Sequence, residues 1–446
     1  MRLIKVIGGL VAVVLVAAVG FLVFAHRSEI AAADPPASFD RELVARGARL
    51  AAIGNCRSCH TVAGGLAYAG GVPIPTAFGT IHGTNITPDR DTGIGAWSQE
   101  AFVRSMREGV DRAGNHLYPA FPYDHFTKLE DGDLAALYAY LMTRPAVRAT
   151  APTNDLAFPA GFRPLLAGWK LLFFQPGRFE DDPRSSPELN RGAYLADALA
   201  HCGACHTPRN GLGAQQGRHE FAGGVSASWA APAIDESNPA PVPWTSESLH
   251  AYLRHGRAEH HGVAAGPMQD VTRNLAEAED DDVRVLAAYV ATRMGAPSQE
   301  REERAKGLIA TAAERLPFNV PVPETMGAAA ARLPAGAALY AGACAVCHDA
   351  GRTGGMDGID LALATGVQLA SARNFLNVVL DGIHSPRHPS AVLMPGFAGA
   401  LTDEQIVELA AYVRATYSNQ PPWPDIAATL RDIRLNRIAA NAEARP

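Results

Sequence analysis

A five-residue pattern, Cys-x-x-Cys-His, occurs three times in this chain and constrains its fold more than any other feature. The cysteine pairs are Cys56 and Cys59, Cys202 and Cys205, and Cys344 and Cys347, and the histidines are His60, His206 and His348. In this pattern the two thiols form thioether bonds to the vinyl groups of a haem, and the histidine binds the iron. The sequence therefore predicts three covalently bound haem c groups.

Two other uses of a Cys-x-x-Cys pair fit the sequence less well. A structural zinc site needs a second pair of Cys or His ligands, and all 6 cysteines of the chain already lie in the three motifs. A redox pair of the thioredoxin type does not require a histidine directly after the second cysteine in each copy. Haem attachment accounts for the cysteines and the histidines together.

The N-terminus is predicted to export the chain and to anchor it. Arg2 and Lys5 are followed by an uncharged apolar run over residues 6–25. About 20 residues suffice to cross a bilayer, whereas the apolar core of a signal peptide is usually about 7 to 15 residues long. We expect an uncleaved transmembrane helix within residues 1–30, with cleavage near the alanines at 31–33 as the alternative. Either outcome places the following residues in the periplasm of a bacterium, and an anchor holds them at the inner membrane.

The spacing of the motifs predicts a tandem of domains. Each motif follows a short helix that carries a glycine, at Gly47, Gly192 and Gly336, and each repeat ends in an amphipathic helix with a tyrosine at a matching place, at Tyr140, Tyr289 and Tyr412. A glycine that lets an aromatic residue of the last helix come close is how class I cytochrome c domains cross their terminal helices. The loops between these helices are rich in Gly and Pro and show no strand alternation.

These patterns predict an all-α fold with three tandem class I cytochrome c domains after an N-terminal transmembrane helix. The expected domains are residues 38–145, 188–295 and 331–420, joined by proline-rich linkers at 146–187 and 296–330 and followed by a tail at 421–446. An apolar run at 165–174 is too short to span a membrane, so it is predicted to be core, a docking surface or an interfacial segment. The tail is predicted to be a weak surface helix on a partner or membrane, or a solvated helix.

Methionines supply candidate sixth ligands for two of the three irons. Met268 and Met394 each lie in a Pro- and Gly-containing loop ahead of the last helix of their repeat. A thioether at this place favours ferrous iron and raises the reduction potential. The matched positions favour a ligand role over core packing, the commoner use of a methionine.

The first repeat departs from this pattern, because its equivalent residue is Phe121, which cannot bind iron. Three alternatives remain for the sixth position of the first haem. His125 is favoured, since it reaches the iron by a local change of the same loop. Met106 is the second alternative, and an open or water-bound iron is the third.

At this point the chain resembles a known family, the three-haem cytochrome c subunits of bacterial membrane-bound dehydrogenases such as the alcohol and gluconate dehydrogenase complexes. The stretches that carry the resemblance are residues 79–81 (GTI) with 84–89 (TNITPD), 116–123 (HLYPAFPY), 169–174 (WKLLFF), 191–195 (RGAYL), 201–210 (HCGACHTPRN), 266–268 (GPM) and 394–397 (MPGF). The PAFPYDHF variant is more similar to the cytochromes that accompany molybdenum hydroxylases of the isoquinoline and nicotinate type or related aldehyde oxidoreductases. The HLYP stretch accompanies methionine ligation elsewhere in the family, so His116 demands no ligand role.

The resemblance implies an electron-transfer subunit rather than an enzyme. Such a subunit takes electrons from a catalytic dehydrogenase subunit, which is a molybdenum protein, a quinoprotein or a flavoprotein, and passes them to ubiquinone or a terminal oxidase. The chain carries no phosphate loop or dinucleotide fingerprint, and its net charge of -6 argues against nucleic acid as a partner. The alternative is a peroxidase-like multihaem enzyme that uses an open first haem as its catalytic iron.

Overall fold

The protein was analysed as a computed structural model that describes residues 2–226, 228–314, 324–349, 358–385 and 391–443. About half of the chain is helical, which fits a mostly helical fold. The chain forms two compact units. The N-terminal unit comprises Met1–Asp181, Asp197–His201 and Gly211–Ala214, and the C-terminal unit comprises Asp182–Ala196, Cys202–Asn210 and Gln215–Pro446.

The N-terminal unit contains seven helices and three strands among its described residues. The helices are α1 (Arg2–Ala25), α2 (Arg41–Ile53), α3 (Cys56–His60), α4 (Gln99–Glu108), α5 (Tyr123–Phe126), α6 (Asp131–Met142) and α7 (Leu165–Phe173), and the strands are β1 (Pro73–Thr76), β2 (Gly79–His82) and β3 (Asp155–Leu156). Polar caps fix the starts of two of these helices. The Asp40 side chain accepts from the Leu43 amide, and the Ser98 side chain accepts from the Ala101 amide.

The C-terminal unit contains the second and third motifs. Its helices are α8 (Pro187–Tyr194), α9 (Gly203–His206), α10 (Ser246–His255), α11 (Pro267–Leu275), α12 (Asp280–Met294), α13 (Gln299–Glu314), α14 (Glu324–Arg332), α15 (Pro334–Ala343), α16 (Ala345–His348), α17 (Thr365–Gln368), α18 (Arg373–Asp381), α19 (Asp403–Tyr417) and α20 (Ile426–Glu443). Its strands are β4 (Gly224–Ser226), β5 (Trp229–Ala231), β6 (Arg257–Ala258), β7 (Gly262–Val263), β8 (Ile383–His384) and β9 (Val392–Met394). A π-helical turn, Leu195–Leu199, follows α8, and a short 3-10 turn covers Gly217–His219.

One helix crossing is built three times. A Cβ atom on the glycine of the first helix would overlap a backbone carbonyl of the last helix and lie within 3 Å of a tyrosine Cβ. The sets are Gly47 with Ala136 and Tyr140, Gly192 with Val285 and Tyr289, and Gly336 with Glu408 and Tyr412. The predicted approach of a tyrosine-bearing last helix to a glycine is therefore confirmed in each repeat. We use first, second and third repeat for the three segments α2–α6, α8–α12 and α15–α19.

Short antiparallel strands, which the sequence did not predict, line the loops between these helices. β1 pairs with β2, β2 with β3, β4 with β5, β6 with β7, and β8 with β9. Each strand is only two to four residues long, too short for the alternation that marks a strand in sequence. Two of them, β2 and β7, begin with a glycine of positive φ, Gly79 and Gly262.

The N-terminal helix α1 is long and apolar enough over Leu3–Ala25 to cross a membrane, by length and composition. The chain after it packs onto the N-terminal unit. The amide of Ile30 donates to the Arg112 carbonyl, the Arg104 guanidinium donates to the Ser28 carbonyl, and Arg112 pairs with Glu29 at 2.6 Å. The end of α1 is thus held by hydrogen bonds rather than joined by a loose tether.

Helix α7 within the predicted linker has one buried face and one exposed face. Leu166, Ala167 and Lys170 are buried, whereas Leu171 and Leu172 are 73% and 71% exposed. The inner face is therefore core, as one of the three alternatives for this run predicted.

The C-terminal helix α20 packs its apolar face on the third repeat. Leu430 and Ile433 are each 1% exposed and join the core cluster that contains α18 and α19. Arg434 pairs with Asp403 at 2.6 Å, and Arg437 pairs with Asp381 at 2.7 Å. The expectation of a weak surface helix or a solvated one was wrong, because the apolar residues of the tail complete this core.

Candidate haem-binding sites

The three motif histidines share one hydrogen-bonding arrangement. In each, ring atom Nδ1 lies at hydrogen-bond distance from a backbone carbonyl oxygen further along the chain. The pairs are His60 with Thr84 (2.6 Å), His206 with Pro232 (2.7 Å) and His348 with Ile359 (2.8 Å). A carbonyl oxygen can only accept, so Nδ1 carries the proton and the lone pair is on Nε2. This is the tautomer that binds a metal through Nε2 and is oriented by the bond at Nδ1.

Burial supports the neutral form of two of these rings. It lowers the pKa of His60 and of His206, each against a smaller opposing effect of the hydrogen bond at Nδ1. Neutral imidazole is the form that binds iron.

Three glycines close the chain over the motifs. A Cβ at each of them would come too close to the carbonyl oxygen of the second cysteine of a motif. The pairs are Gly83 with Cys59, Gly224 with Cys205, and Gly358 with Cys347. Only glycine allows the backbone to approach this closely. The two cysteines, the oriented histidine and this close approach together fit a covalently attached haem c at each motif.

None of the six cysteines forms a disulfide, so all six are available for thioether bonds. Burial raises the pKa of Cys56 to about 12 and that of Cys344 to about 11. Within the described ranges no group of three or more His, Cys, Asp or Glu residues is placed to hold a metal ion. The zinc alternative gains no support from this geometry.

The distal positions align through a second set of glycines. Each of α4, α10 and α18 is followed by a glycine with positive φ, and the candidate axial residue stands twelve positions further on. The sets are Gly109 with Phe121, Gly256 with Met268, and Gly382 with Met394. The structure thus supports the equivalence of Phe121 with the two methionines, because each of the three residues follows such a glycine by the same number of positions.

The two methionines lie in different local structures but are both half-buried. Met268 is in the first turn of α11, two residues after Gly266, against which the Trp229 indole packs. Met394 ends β9, paired with Ile383 of β8. Neither thioether is fully enclosed in the protein core, so both remain candidate ligands.

On the distal side of the first repeat, the Phe121 ring packs on Phe126 at 5.4 Å. His125 is buried, and its Nδ1 lies 2.7 Å from the Asp197 carbonyl. The lone pair of His125 is therefore on Nε2, as in the motif histidines. Met106 is also buried, at 6% exposure, on α4. His125 and Met106 both remain candidates for the sixth position.

His116 is fully engaged elsewhere. Its Nε2 donates to the carbonyl of Ala25 at the end of α1 (2.8 Å), and its Nδ1 accepts from the Lys170 ammonium (3.1 Å). Lys170 also donates to the carbonyls of Glu108 and Gly109. With both ring nitrogens hydrogen-bonded, His116 has a structural role. This agrees with the expectation that the histidine of the HLYP stretch need not bind iron.

Sequence reasoning missed the carbonyl partners of the histidines and the glycines over the cysteines. Gly83, Gly224 and Gly358 stand 23, 18 and 10 residues after their motif histidines. Because this spacing varies, no fixed pattern identifies them. The glycine that stands twelve residues before each candidate axial residue could have been found in the sequence, because its spacing is constant.

Two family models match parts of the chain. The model described as cytochrome c matches residues 44–145, which contain most of the first repeat. The model described as cytochrome C oxidase, cbb3-type, subunit III matches residues 331–413, which contain most of the third. Both matches include a motif and its two crossing helices.

Relatives are similar over most of the chain. A nicotinate dehydrogenase subunit of Pseudomonas putida is 42% identical over 428 residues, 94% of this chain, although the chain spans only 34% of that protein's length. The gluconate 2-dehydrogenase cytochrome c subunit of Pantoea cypripedii is 32% identical over 426 residues, 90% of this chain and 92% of its own. The fructose dehydrogenase cytochrome subunit of Gluconobacter japonicus is 34% identical over 398 residues, 86% of this chain and 81% of its own. The names of these relatives give no support to the peroxidase-like alternative.

Proposed function

The chain belongs to the cytochrome c subunits of dehydrogenase complexes, and from this premise we propose that it carries three haems in three tandem class I cytochrome c domains. The observation that carries the proposal is the threefold proximal arrangement. Each motif histidine donates through Nδ1 to a backbone carbonyl, and each second cysteine lies under a close-packed glycine. The second repeat has this arrangement as fully as the first and third.

Haem iron supplies one-electron chemistry by alternating between the ferric and ferrous states. The residues of this chain would fix the potentials. His60, His206 and His348 would bind the irons through Nε2, and the thioethers of Met268 and Met394 would raise the potentials of the second and third haems. In the first repeat, His125 would serve as a second imidazole and give the lowest potential of the three.

The electron donor is proposed to be a separate catalytic dehydrogenase subunit. Similarity to the nicotinate dehydrogenase subunit favours a molybdenum hydroxylase as this partner, and a quinoprotein or flavoprotein is the alternative that the gluconate and fructose relatives suggest. The proposed acceptor is ubiquinone or a terminal oxidase. With α1 as the anchor, the haem domains lie at the periplasmic face of a bacterial inner membrane.

Haem stoichiometry tests this proposal. Thioether bonds survive unfolding, so the denatured full-length chain should retain three haems by pyridine haemochrome assay and have the mass of the polypeptide plus three haems. A mass equal to the apoprotein, or to one or two haems, would refute the three-haem assignment. Extraction from membranes should require detergent, and the native complex should contain a catalytic dehydrogenase subunit.

A further inference from the structure

The axial segments of the second and third repeats touch through one glutamine. Gln269, next to Met268, donates from Nε2 to the His384 carbonyl at 2.6 Å. His384 belongs to β8, in which the neighbouring Ile383 pairs with Met394 of β9. The two candidate axial methionines are therefore connected through their neighbouring residues by a side-chain hydrogen bond and a strand pair.

The same segment of the second repeat also meets the proximal side of the third. A Cβ at Gly262 would lie 3.4 Å from Cδ1 of Ile359, and the Ile359 carbonyl accepts the Nδ1 proton of His348. Residues 262–269, which we call the Met268 loop, therefore contact the third repeat at two places, His384 next to the β8–β9 strand pair and Ile359, whose carbonyl orients the motif histidine.

Side-chain amides hold the two repeats together. The Asn374 amide on α18 donates to the Ala230 carbonyl and accepts from the Ala230 amide, each at 2.8 Å. Asn377, only 2% exposed, donates to the Ser228 carbonyl at 3.0 Å. These bonds fix β5, whose Trp229 packs on Gly266 of the Met268 loop. The bonds involve no charged groups, so salt does not weaken them by screening.

We propose that the Gln269–His384 contact is the junction through which the second and third haems exchange electrons, with Gln269 as the positioning residue. In this step one electron leaves a ferrous haem and reduces the ferric haem beside it, so one iron is oxidised, the other is reduced, and no proton or further reactant is needed. The inference rests on the proposed function, since it requires haems at both motifs. It adds that the haems held by the second and third motifs would form a coupled pair.

A charge placed at the Gln269–His384 junction tests whether the junction lies close to both the second and the third haem. A carboxylate stabilises nearby ferric iron, so Gln269→Glu should lower the potentials of both the second and the third haem and leave the first unchanged. An EPR-monitored redox titration of the full-length chain in detergent resolves the ferric signals. Gln216→Glu is the matched control, because Gln216 also donates to one backbone carbonyl, that of Arg209 in the second repeat, and a carboxylate there should leave the potential of the third haem unchanged.

A neutral variant separates the hydrogen bond from the charge. Gln269→Leu should slow electron exchange between the two haems several-fold, measured from haem methyl exchange in half-reduced protein by NMR, with both potentials nearly unchanged. Gln216→Leu should leave the exchange rate unchanged. A shift of only one potential in Gln269→Glu, no shift, or an unchanged exchange rate in Gln269→Leu would overturn the inference. A haem count below three would instead refute the proposed function, so the two failures are distinguishable.

Discussion

The first haem position and the other two share one proximal design but differ on the distal side. His60 donates through Nδ1 to a carbonyl as His206 and His348 do, yet Phe121 stands where the others have Met268 and Met394. The proximal side is constrained by the covalent chemistry of attachment, which is identical at each motif. The distal side is where the chain can vary the potential of each haem by changing one ligand.

The surroundings of the repeats differ as well. The axial loop of the first repeat is tied through His116 and buried Lys170 to α7 and to the end of α1. The axial loops of the second and third are tied to each other through Gln269. Under the proposed function, this contrast would associate the first haem with the end of α1 and make the other two a pair.

Removing a methionine should have the largest effect. Met268→Ala or Met394→Ala should each abolish one methionine-to-iron charge-transfer band and lower one potential by on the order of 0.2 V, within the roughly 0.8 V that axial ligands span. The haem should stay attached, because its thioethers are intact. Optical redox titration makes the measurement. Unchanged bands and potentials in both variants would mean that Met268 and Met394 are not iron ligands.

Introducing a methionine at position 121 should give the first haem the methionine ligand proposed for the second and third. His125→Ala should leave the first haem high-spin, and adding Phe121→Met should return it to low spin with a new methionine band and a raised potential. Optical and EPR spectra of the two variants provide the test. If Met106 is the ligand, His125→Ala will leave the first haem low-spin, and Met106→Ala will make it high-spin instead.

Because the helix crossing is the same in each repeat, replacing its glycine by alanine should destabilise each repeat by a similar amount. Gly192→Ala places a methyl group against the Val285 carbonyl and should lower the free energy of unfolding by about 3 kcal/mol, the upper end of typical overpacking costs. Gly47→Ala and Gly336→Ala should cost similar amounts. Gly307→Ala is the control, because nothing lies within 4 Å of that helical glycine, and it should be neutral or stabilising. Urea unfolding measures these differences, and a neutral Gly192→Ala would contradict the crossing.

Lys170 should give the N-terminal unit a pH dependence of its own. Burial lowers the pKa of Lys170 to about 7, against 10.5 in an exposed chain. Between these values the unfolded chain binds one more proton than the folded one, so stability rises with pH across that window, by about 1 kcal/mol per unit. Lys170→Met should remove this slope in urea unfolding between pH 7 and 9. A slope that survives the substitution would assign the effect to other groups.

Local patterns predicted the motifs, the crossing helices and the equivalence of Phe121 with the methionines, because each depends on residues at fixed spacing. The packing of the tail was not predictable in this way. Leu430 and Ile433 are buried only because α18 and α19 present a matching apolar surface, a tertiary fact with no local signal. The Gln269–His384 bond joins residues 115 positions apart, and a glutamine in a loop has no pattern that predicts its partner.

EPR of the fully oxidised, unmutated chain tests the central claim most directly. The account predicts three low-spin ferric haems, two with histidine–methionine ligation and one with a bis-imidazole signal that has the lowest potential and is lost in His125→Ala. A high-spin ferric signal already present in the unmutated chain, or three alike histidine–methionine haems, would contradict it.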